Sequence, residues 1–488
     1  MRLFQQLSGL SVLVSLVLAH EGHSHDHHHH DHSHDHEDLG GINFCGDGGS
    51  LTGGCQDGLG NIAAADQKVF LWKEKENETT QQDSPASDED DSTLGNHPWT
   101  HTKPCFTSAE TNHTLCVFTD NHFASNRGAS FITTPERATF FTTTTPFLDP
   151  SLTKDINQDL HRTIPSRYEK QLIPGKGMGL IAKVHIPRGA LIMANTPSLM
   201  IDYRAFEDLP KDSYRQLQAS AVDHLPPLHR EHIMALSTHD SADRSHIEKI
   251  DKICGTNAFD IDPHPEDPMQ DHGFYVVFPE ISRMNHDCRP NADYYFSHDT
   301  LTQYIHAIRD IIPGEELTLS YINPVMKHKA RNEKLNRIWG FQCSCPLCTA
   351  PTPQQLASDT RIAQIRDFWG EFSDWSTDSR ASPQLAELVA SLYEQEKLWG
   401  NMYEAYTWLA LEYNAAGEPW TAVKWANKAV ERGIPVVGEN DSDVLQMERL
   451  IKDPWAHWSW MKRVRVRGGW GKGREREGEE NHENDDDE

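Results

Sequence analysis

Three cysteines close together are the first feature of the sequence that could do chemistry. Cys343, Cys345 and Cys348 form a C-x-C-x-x-C cluster. Three thiolates on one tight loop are one ligand short of a tetrahedral zinc site. Disulfide bonding is the alternative use of such cysteines, but thiols with C-x-C spacing pair poorly with each other. The spacing therefore favours zinc and leaves the fourth ligand open.

Three further segments combine polar and glycine residues in compact patterns. Arg283–Asn291 is a polar stretch in an apolar setting and holds an Asn-His pair. Pro313–Tyr321 is a turn that leads into a short alternating strand ending on a tyrosine. Gly175–Leu180 is glycine-rich, and glycine lets a backbone approach a ligand closely. Any one of these patterns also suits an ordinary turn or core position.

In the order in which they occur along the chain, the four segments resemble the SET-domain protein lysine methyltransferases, in the SMYD-like and fungal SET5-like branch. The resemblance covers Tyr168–Cys348 closely and the following helices loosely. It implies an α+β chain: a β-rich SET fold of small twisted sheets with a pseudoknot, a zinc-binding post-SET segment and an α-helical, TPR-like C-terminal domain. SMYD proteins carry a MYND finger in the insert of the SET domain. Here that insert has only Cys254, so the finger is absent.

The resemblance also implies S-adenosylmethionine as the methyl donor and places residues around it. Tyr321 matches the tyrosine whose hydroxyl orients the amine beside the transferring methyl group. An asparagine amide can donate and accept together, which suits a zwitterionic amino-acid tail. The residues implied for cofactor binding are Lys176, Gly177, Met178, Asn285, His286, Tyr321 and Phe341. The fourth zinc ligand that the resemblance supplies is Cys288.

The elements that must position these residues follow from hydrophobic patterns. Alternation predicts strands at Gly179–Lys183 and Ala190–Met193. Helical spacing is expected through Phe206–Phe259, and large and small residues around Gly417 fit one TPR-like unit or any other helical hairpin. The predicted organisation is a signal peptide (1–19), a histidine-rich tract (20–39), a low-complexity N-terminal region whose four cysteines could form two disulfides (40–165), a SET domain (166–325) with a helical insert at about 203–262, a post-SET zinc segment (326–350), a helical TPR-like region (351–460) and a charged, disordered tail (461–488).

The N-terminus and the enzyme chemistry point to different compartments. Met1–Ala19 has the pattern of a secretory signal, with a buried helix or a misjoined gene model as alternatives. Ten histidines in His20–His36 suit weak binding of zinc, nickel or copper, or a solvated polar tract. A signal peptide indicates the secretory pathway, whereas S-adenosylmethionine chemistry indicates the cytoplasm or nucleus.

The bulk composition limits the function further. A net charge of −28 argues against direct binding of duplex nucleic acid and is compatible with a lysine-rich protein partner. The apolar run near the N-terminus is too short for a comfortable membrane span. We therefore predict a monomeric, S-adenosylmethionine-dependent protein lysine methyltransferase, a histone being one candidate substrate. The alternative is an exported or endomembrane SET-fold binding scaffold with a metal-binding histidine tract and no catalysis.

Overall fold

The computed structural model describes residues 98–154, 156–157, 166–238, 243–270 and 272–468. The predicted signal peptide (1–19) and histidine tract (20–39) lie outside the described residues, as do Cys45, Cys55 and the acidic end of the charged tail. Within the described ranges, no helix has both the length and the apolar character needed to cross a membrane.

Short strands in the described residues form three sheets. The strands are β1 (Cys105–Thr107), β2 (Thr114–Asp120), β3 (Ala129–Thr133), β4 (Tyr168–Ile173), β5 (Gly177–Ala182), β6 (Leu191–Asn195), β7 (Leu199–Asp202), β8 (Ala258–Ile261), β9 (Phe274–Val277), β10 (Asn285–His286), β11 (Ala292–Ser297), β12 (Thr302–Ala307) and β13 (Glu316–Leu319). Their orders are β1-β2-β3-β7-β9-β8, β10-β13-β5-β4 and β11-β12-β6.

Helices make up most of the remaining described structure. They are α1 (Phe123–Asn126), α2 (Pro135–Thr142), α3 (Tyr203–Asp208), α4 (Lys211–Asp223), α5 (Pro227–Met234), α6 (His246–Asn257), α7 (His328–Trp339), α8 (Thr352–Ser373), α9 (Pro383–Gln395), α10 (Met402–Ala415), α11 (Pro419–Val437), α12 (Ser442–Lys452) and α13 (Lys462–Arg467). Small sheets followed by a helical C-terminal part confirm the predicted α+β class.

The largest sheet joins the N-terminal region to the predicted SET domain. β3 pairs in parallel with β7, with Ser130 opposite Leu199. The boundary predicted at residue 165 therefore does not separate two folded units in the described structure. β2 and β3 are only seven and five residues long, too short to stand out as apolar runs, yet almost every residue in them is buried. Cys105 and Cys116 face each other across β1 and β2 and form a disulfide.

Helices α3–α6 occupy the segment that was predicted to be a helical insert. They cover one face of the largest sheet and bury Tyr214, Leu217 and Cys254 completely against it. Cys254 is a buried free thiol. The helix α6 begins with a reciprocal cap, in which Ser245 and Glu248 each bond the other's backbone N–H. Residues of this insert, Leu236 and Asn257 among them, line the pocket described below.

The knot (residues 283–291) is held against β13 by parallel pairing and by one buried side chain. β10 pairs with β13 so that Asn285 lies opposite Thr318. Asn291, 1% exposed, donates from Nδ2 to the Glu316 carbonyl at 2.7 Å and accepts from the Thr318 N–H at 2.9 Å. Asparagine suits this position because its amide donates and accepts at once. Two motifs separated along the chain are thereby fixed side by side.

The helices after residue 351 have a hydrophobic core of their own, which includes Val389 and Leu409. Helices α10 and α11 are joined at Gly417, whose φ of +88° favours glycine. These residues are helical as predicted, and the TPR-like assignment stays a prediction. The buried carboxylate of Glu396 ties this core to the knot, because it accepts from Arg289 Nη2 at 2.7 Å.

Candidate active site

One pocket collects the residues that the sequence suggested for the cofactor. It has a volume of about 550 Å³, within the range of roughly 300–1,000 Å³ usual for ligand sites. It lies between the β4–β5 hairpin, the knot and the segment that follows α7. The suggested residues that line it are Lys176, Gly177, Met178, Asn285, His286, Tyr321 and Phe341. All seven are therefore brought together.

Glycines shape the wall that the β4–β5 hairpin contributes. Gly175 and Gly177, on either side of Lys176, have φ angles of +77° and +81°, which side-chain-bearing residues rarely adopt. Gly179 faces the knot. A Cβ atom there would lie 2.8 Å from Asn285 Nδ2 and 2.7 Å from Ile173 Cγ1. Only glycine lets the knot approach the hairpin this closely.

The Asn285 side-chain amide is hydrogen-bonded to Glu316, a residue that the sequence did not single out. Its Nδ2 donates to Glu316 Oε1 at 2.9 Å and, more weakly, to the Met178 carbonyl at 3.4 Å. Glu316 Oε2 also accepts from Lys176 Nζ at 2.7 Å. Parallel pairing could have indicated this contact, because Glu316 shares a strand face with Thr318, the partner of Asn285.

The His286 ring uses both of its nitrogens within the protein. It is 3% exposed, and its Nδ1 accepts from the Tyr321 backbone N–H at 3.0 Å. A neutral ring that accepts at Nδ1 carries its proton on Nε2, which lies 3.4 Å from Cys288 Sγ and donates to it. Burial lowers the pKa of His286 to about 3, so the ring is neutral. The imidazole therefore links the knot to the cysteines and to Tyr321.

Tyr321 lies two residues after the end of β13, and its hydroxyl points into the knot. The hydroxyl donates to the Met284 carbonyl at 2.8 Å. Burial, with a smaller contribution from the charge of Glu316, raises the pKa of Tyr321. The group is therefore a protonated hydroxyl, suited to orienting a ligand and not to acting as a base. Its ring centre lies 5.2 Å from that of Trp339.

Three aromatic residues of the pocket wall were not identified from the sequence. Phe259, Tyr294 and Trp339 all line the pocket. Phe259 and Tyr294 meet edge to face, with ring centres 5.4 Å apart. They come from β8 and β11 and belong to no local motif. Trp339 ends α7 two residues before Phe341, and that proximity to the cysteine cluster is the one local indication of its role.

The four cysteines predicted to bind zinc converge. The sulfur atoms of Cys288, Cys343, Cys345 and Cys348 all lie within 4.8 Å of one another. Cys288 Sγ is 3.6 Å from Cys348 Sγ and 3.9 Å from Cys343 Sγ. Sulfurs bound tetrahedrally at about 2.3 Å from zinc are roughly 3.8 Å apart. The four are free thiols and not disulfides, and their arrangement fits a structural zinc ion.

Helix α7 supports the cysteines with a cation and an amide. Burial opposes the charge on Arg331, but Cys288 and Cys348 more than offset it and raise the pKa of Arg331. A buried guanidinium complements a cluster of thiolates. Asn332 Oδ1 accepts from the Cys343 N–H at 3.3 Å. Such supporting contacts orient ligand atoms before a metal binds.

Comparisons with known proteins agree with the geometry. A family model described as "SET domain" matches residues 177–322. Histone-lysine N-methyltransferase set5 of Schizosaccharomyces pombe is 31% identical over 202 residues, 41% of this chain and 56% of that protein. N-lysine methyltransferase SMYD2 of Homo sapiens is 36% identical over 110 residues, 21% of this chain and 25% of that protein. The chain thus spans from a quarter to just over half of the length of these relatives.

Among solved structures, the SET domain of LSMT bound to lysine and AdoHcy matches with a TM-score of 0.25 and 13% identity, over 64% of this chain and 89% of that one.

Proposed function

Because residues 177–322 form a SET domain similar to those of fungal SET5 and SMYD2 proteins, we propose that this protein transfers a methyl group from S-adenosylmethionine to a lysine side chain of a protein. One observation carries the proposal. The glycine hairpin, the Asn285 amide and the Tyr321 hydroxyl line a single pocket. A ligand bound there would lie against Tyr321.

The pocket wall suits the deprotonation that lysine methylation requires. Free lysine has a pKa of about 10.4 and is almost entirely charged at neutral pH. The rings of Phe259, Tyr294 and Trp339 form an apolar wall that disfavours the ammonium and favours proton loss to water. Tyr321, held through its hydroxyl by the Met284 carbonyl, would orient the neutral amine. The remaining barrier is largely one of alignment.

The polar residues of the pocket suit the methyl donor. When bound, S-adenosylmethionine supplies a methyl group on a positively charged sulfur. The Lys176 ammonium would hold the carboxylate of its amino-acid tail, and Asn285 would hold the ammonium of that tail. Phe341 would pack near the adenine. Zinc bound by the four cysteines would fix the segment that carries Trp339 and Phe341 at the pocket.

Replacement of Tyr321 by phenylalanine tests the proposal. Tyr321→Phe removes only the hydroxyl, so transfer of labelled methyl groups to a panel of lysine-rich proteins, core histones included, should fall by roughly 100-fold or more. Calorimetric affinity for S-adenosylhomocysteine should change little. Tyr304→Phe is the control, because Tyr304 lies on β12 and bonds Thr300, away from the pocket. Wild-type turnover in Tyr321→Phe would contradict the assignment.

The disulfide between Cys105 and Cys116 favours a second function. Disulfides persist in oxidising compartments, where the predicted signal peptide would send the chain. The protein would then be an exported SET-fold scaffold that binds partners without catalysis. Cell fractionation with N-terminal sequencing of the native protein separates the two. A native chain found only in the secretory pathway, with no affinity for S-adenosylhomocysteine, would favour the scaffold.

A further inference from the structure

A single carboxylate connects two of the residues that line the pocket. Glu316, on β13, accepts from Lys176 Nζ with one oxygen, at 2.7 Å, and from Asn285 Nδ2 with the other, at 2.9 Å. Its side chain is 17% exposed, and that of Lys176 is 25% exposed. Hydrogen bonds to charged groups are stronger than neutral ones and are shielded less when partly buried. The three side chains therefore form one electrostatic unit at the edge of the pocket.

This arrangement determines the orientation of the Asn285 side-chain amide. Glu316 Oε1 and the Met178 carbonyl only accept hydrogen bonds, so the atom facing them must be Nδ2. Oδ1 is left as the amide atom available to a ligand in the pocket that Asn285 lines. The sequence suggested that this amide would both donate and accept toward a zwitterion. The structure leaves it the accepting role.

The close packing around Asn285 and Glu316 leaves these two side chains little room for another arrangement. A Cβ atom at Gly179 would lie 2.8 Å from Asn285 Nδ2 and 3.1 Å from Glu316 Oε1, so this glycine makes room for the contact. Lys176 has its charge balanced by Glu316 and keeps two further donors on its ammonium. The pocket thus presents one oriented acceptor and one oriented cation in neighbouring positions.

Resting on the function proposed above, we propose that Glu316 is a positioning residue for the amino-acid tail of S-adenosylmethionine. It holds Asn285 with its oxygen toward the α-ammonium of the tail and holds Lys176 where it meets the α-carboxylate. Glu316 acts through these two residues and does not itself contact the reacting atoms. Glu316 would not contribute to the affinity for a ligand that lacks the amino-acid tail.

Two nucleosides that differ in the tail test this directly. S-adenosylhomocysteine carries the amino-acid tail, and 5′-methylthioadenosine lacks it. In the full-length protein, Glu316→Gln keeps the shape and loses the charge. We expect its calorimetric Kd for S-adenosylhomocysteine to rise about 10-fold or more, as loss of a charged hydrogen bond would give. The Kd for 5′-methylthioadenosine should stay within twofold of wild type.

Matched variants control for general damage to the fold. Glu315→Gln removes the neighbouring carboxylate, which pairs with Arg309 outside the pocket, and should leave both affinities unchanged. Lys176→Met breaks the same ion pair from the hairpin side and should reproduce the selective loss. In the double variant Glu316→Gln/Asn285→Ala the two effects should be less than multiplicative, because Glu316 acts through Asn285.

The outcomes separate this inference from the function on which it rests. Wild-type protein that binds neither nucleoside would overturn both. Wild-type protein that binds S-adenosylhomocysteine, combined with a Glu316→Gln variant of unchanged affinity, would overturn the inference alone. Equal losses for both nucleosides in Glu316→Gln and Lys176→Met would also overturn it, since a general change in the pocket does not depend on the tail.

Discussion

The buried carboxylate of Glu396 gives the sharpest test of how the helical C-terminal part is fixed to the knot. Glu396 accepts from Arg289 at 2.7 Å, from Ser358 at 2.6 Å and from Arg361 at 2.6 Å. Its side chain is 1% exposed and that of Arg289 is 9% exposed. Arg289 also donates to the Cys288 carbonyl, directly beside the cysteine cluster. Glu396→Gln keeps the volume and removes the charge.

The loss of stability expected in Glu396→Gln follows from the burial of the ion pair. Removing one partner of a buried ion pair costs about 3–5 kcal/mol, because the other charge is left uncompensated. The Arg361 side chain is 28% exposed, so its ion pair with Glu396 should contribute little to the free energy of unfolding. Glutamine can still accept from Ser358, so we expect the free energy of unfolding to fall by about 3 kcal/mol. For the whole described structure, that corresponds to a fall of roughly 4 °C in the calorimetric melting temperature.

A surface ion pair of the same chemistry is the control. Arg188 and Glu431 are 2.6 Å apart, but their side chains are 37% and 59% exposed. Glu431→Gln should change the free energy of unfolding by about 1 kcal/mol or less, because water screens the pair. Equal losses in the two variants, or a loss below about 1 kcal/mol in Glu396→Gln, would refute the reasoning from burial.

The effect of Glu396→Gln should also depend on pH. Burial alone would raise the pKa of Glu396, but hydrogen bonds from Ser358, Arg289 and Arg361 more than offset it and lower the pKa. Above the ordinary glutamate pKa of about 4.3 the carboxylate is ionised in both states and stabilises fully. As the pH falls through the lower, folded-state pKa, that stabilisation is lost. The difference between wild type and Glu396→Gln should therefore shrink below about pH 4.

Two further substitutions test the metal site and the close contact of the hairpin with the knot. In protein lacking residues 20–39, Cys288→Ser should lower the zinc content from one per chain toward zero by elemental analysis, whereas Cys254→Ser, outside the cluster, should keep it. An unchanged zinc content in Cys288→Ser would place the fourth ligand elsewhere. Gly179→Ala should weaken S-adenosylhomocysteine binding about 10-fold or more, because its Cβ would displace Asn285; Gly370→Ala, in open space on α8, should not. Equal affinities in the two alanine variants would contradict the steric account.

The sequence assigned to one place several residues that the structure also brings together, wherever residue type restricts the geometry. Cys288 and the C-x-C-x-x-C cluster could be assigned to one zinc site from the sequence, because such a site needs four ligands and the family resemblance supplied the fourth. Gly177, assigned through the same resemblance, lines the pocket in a backbone conformation that favours glycine. For such residues, the type of side chain indicates the structural role.

Residues that act through long-range contacts could not be found in this way. Glu316 looks like one half of an ordinary Glu-Glu turn until pairing of β10 with β13 places it beside Asn285. Glu396 meets Arg289 across 107 residues of chain, and although Arg289 lies in the knot, Glu396 belongs to no motif. β2 and β3 were hidden for a different reason: strands buried on both faces lose the alternation that marks a half-exposed strand.

The His286 ring indicates how the cysteine cluster and the proposed catalytic tyrosine depend on each other. Its Nε2 donates to Cys288, and its Nδ1 accepts from the peptide N–H of Tyr321. A displacement of Cys288 would therefore move the ring, and the ring would move the point from which the Tyr321 side chain extends. Because Tyr321 would act by position and not by charge, its contribution is sensitive to shifts of this kind. Zinc at the cysteines would then influence turnover through the position of the Tyr321 side chain.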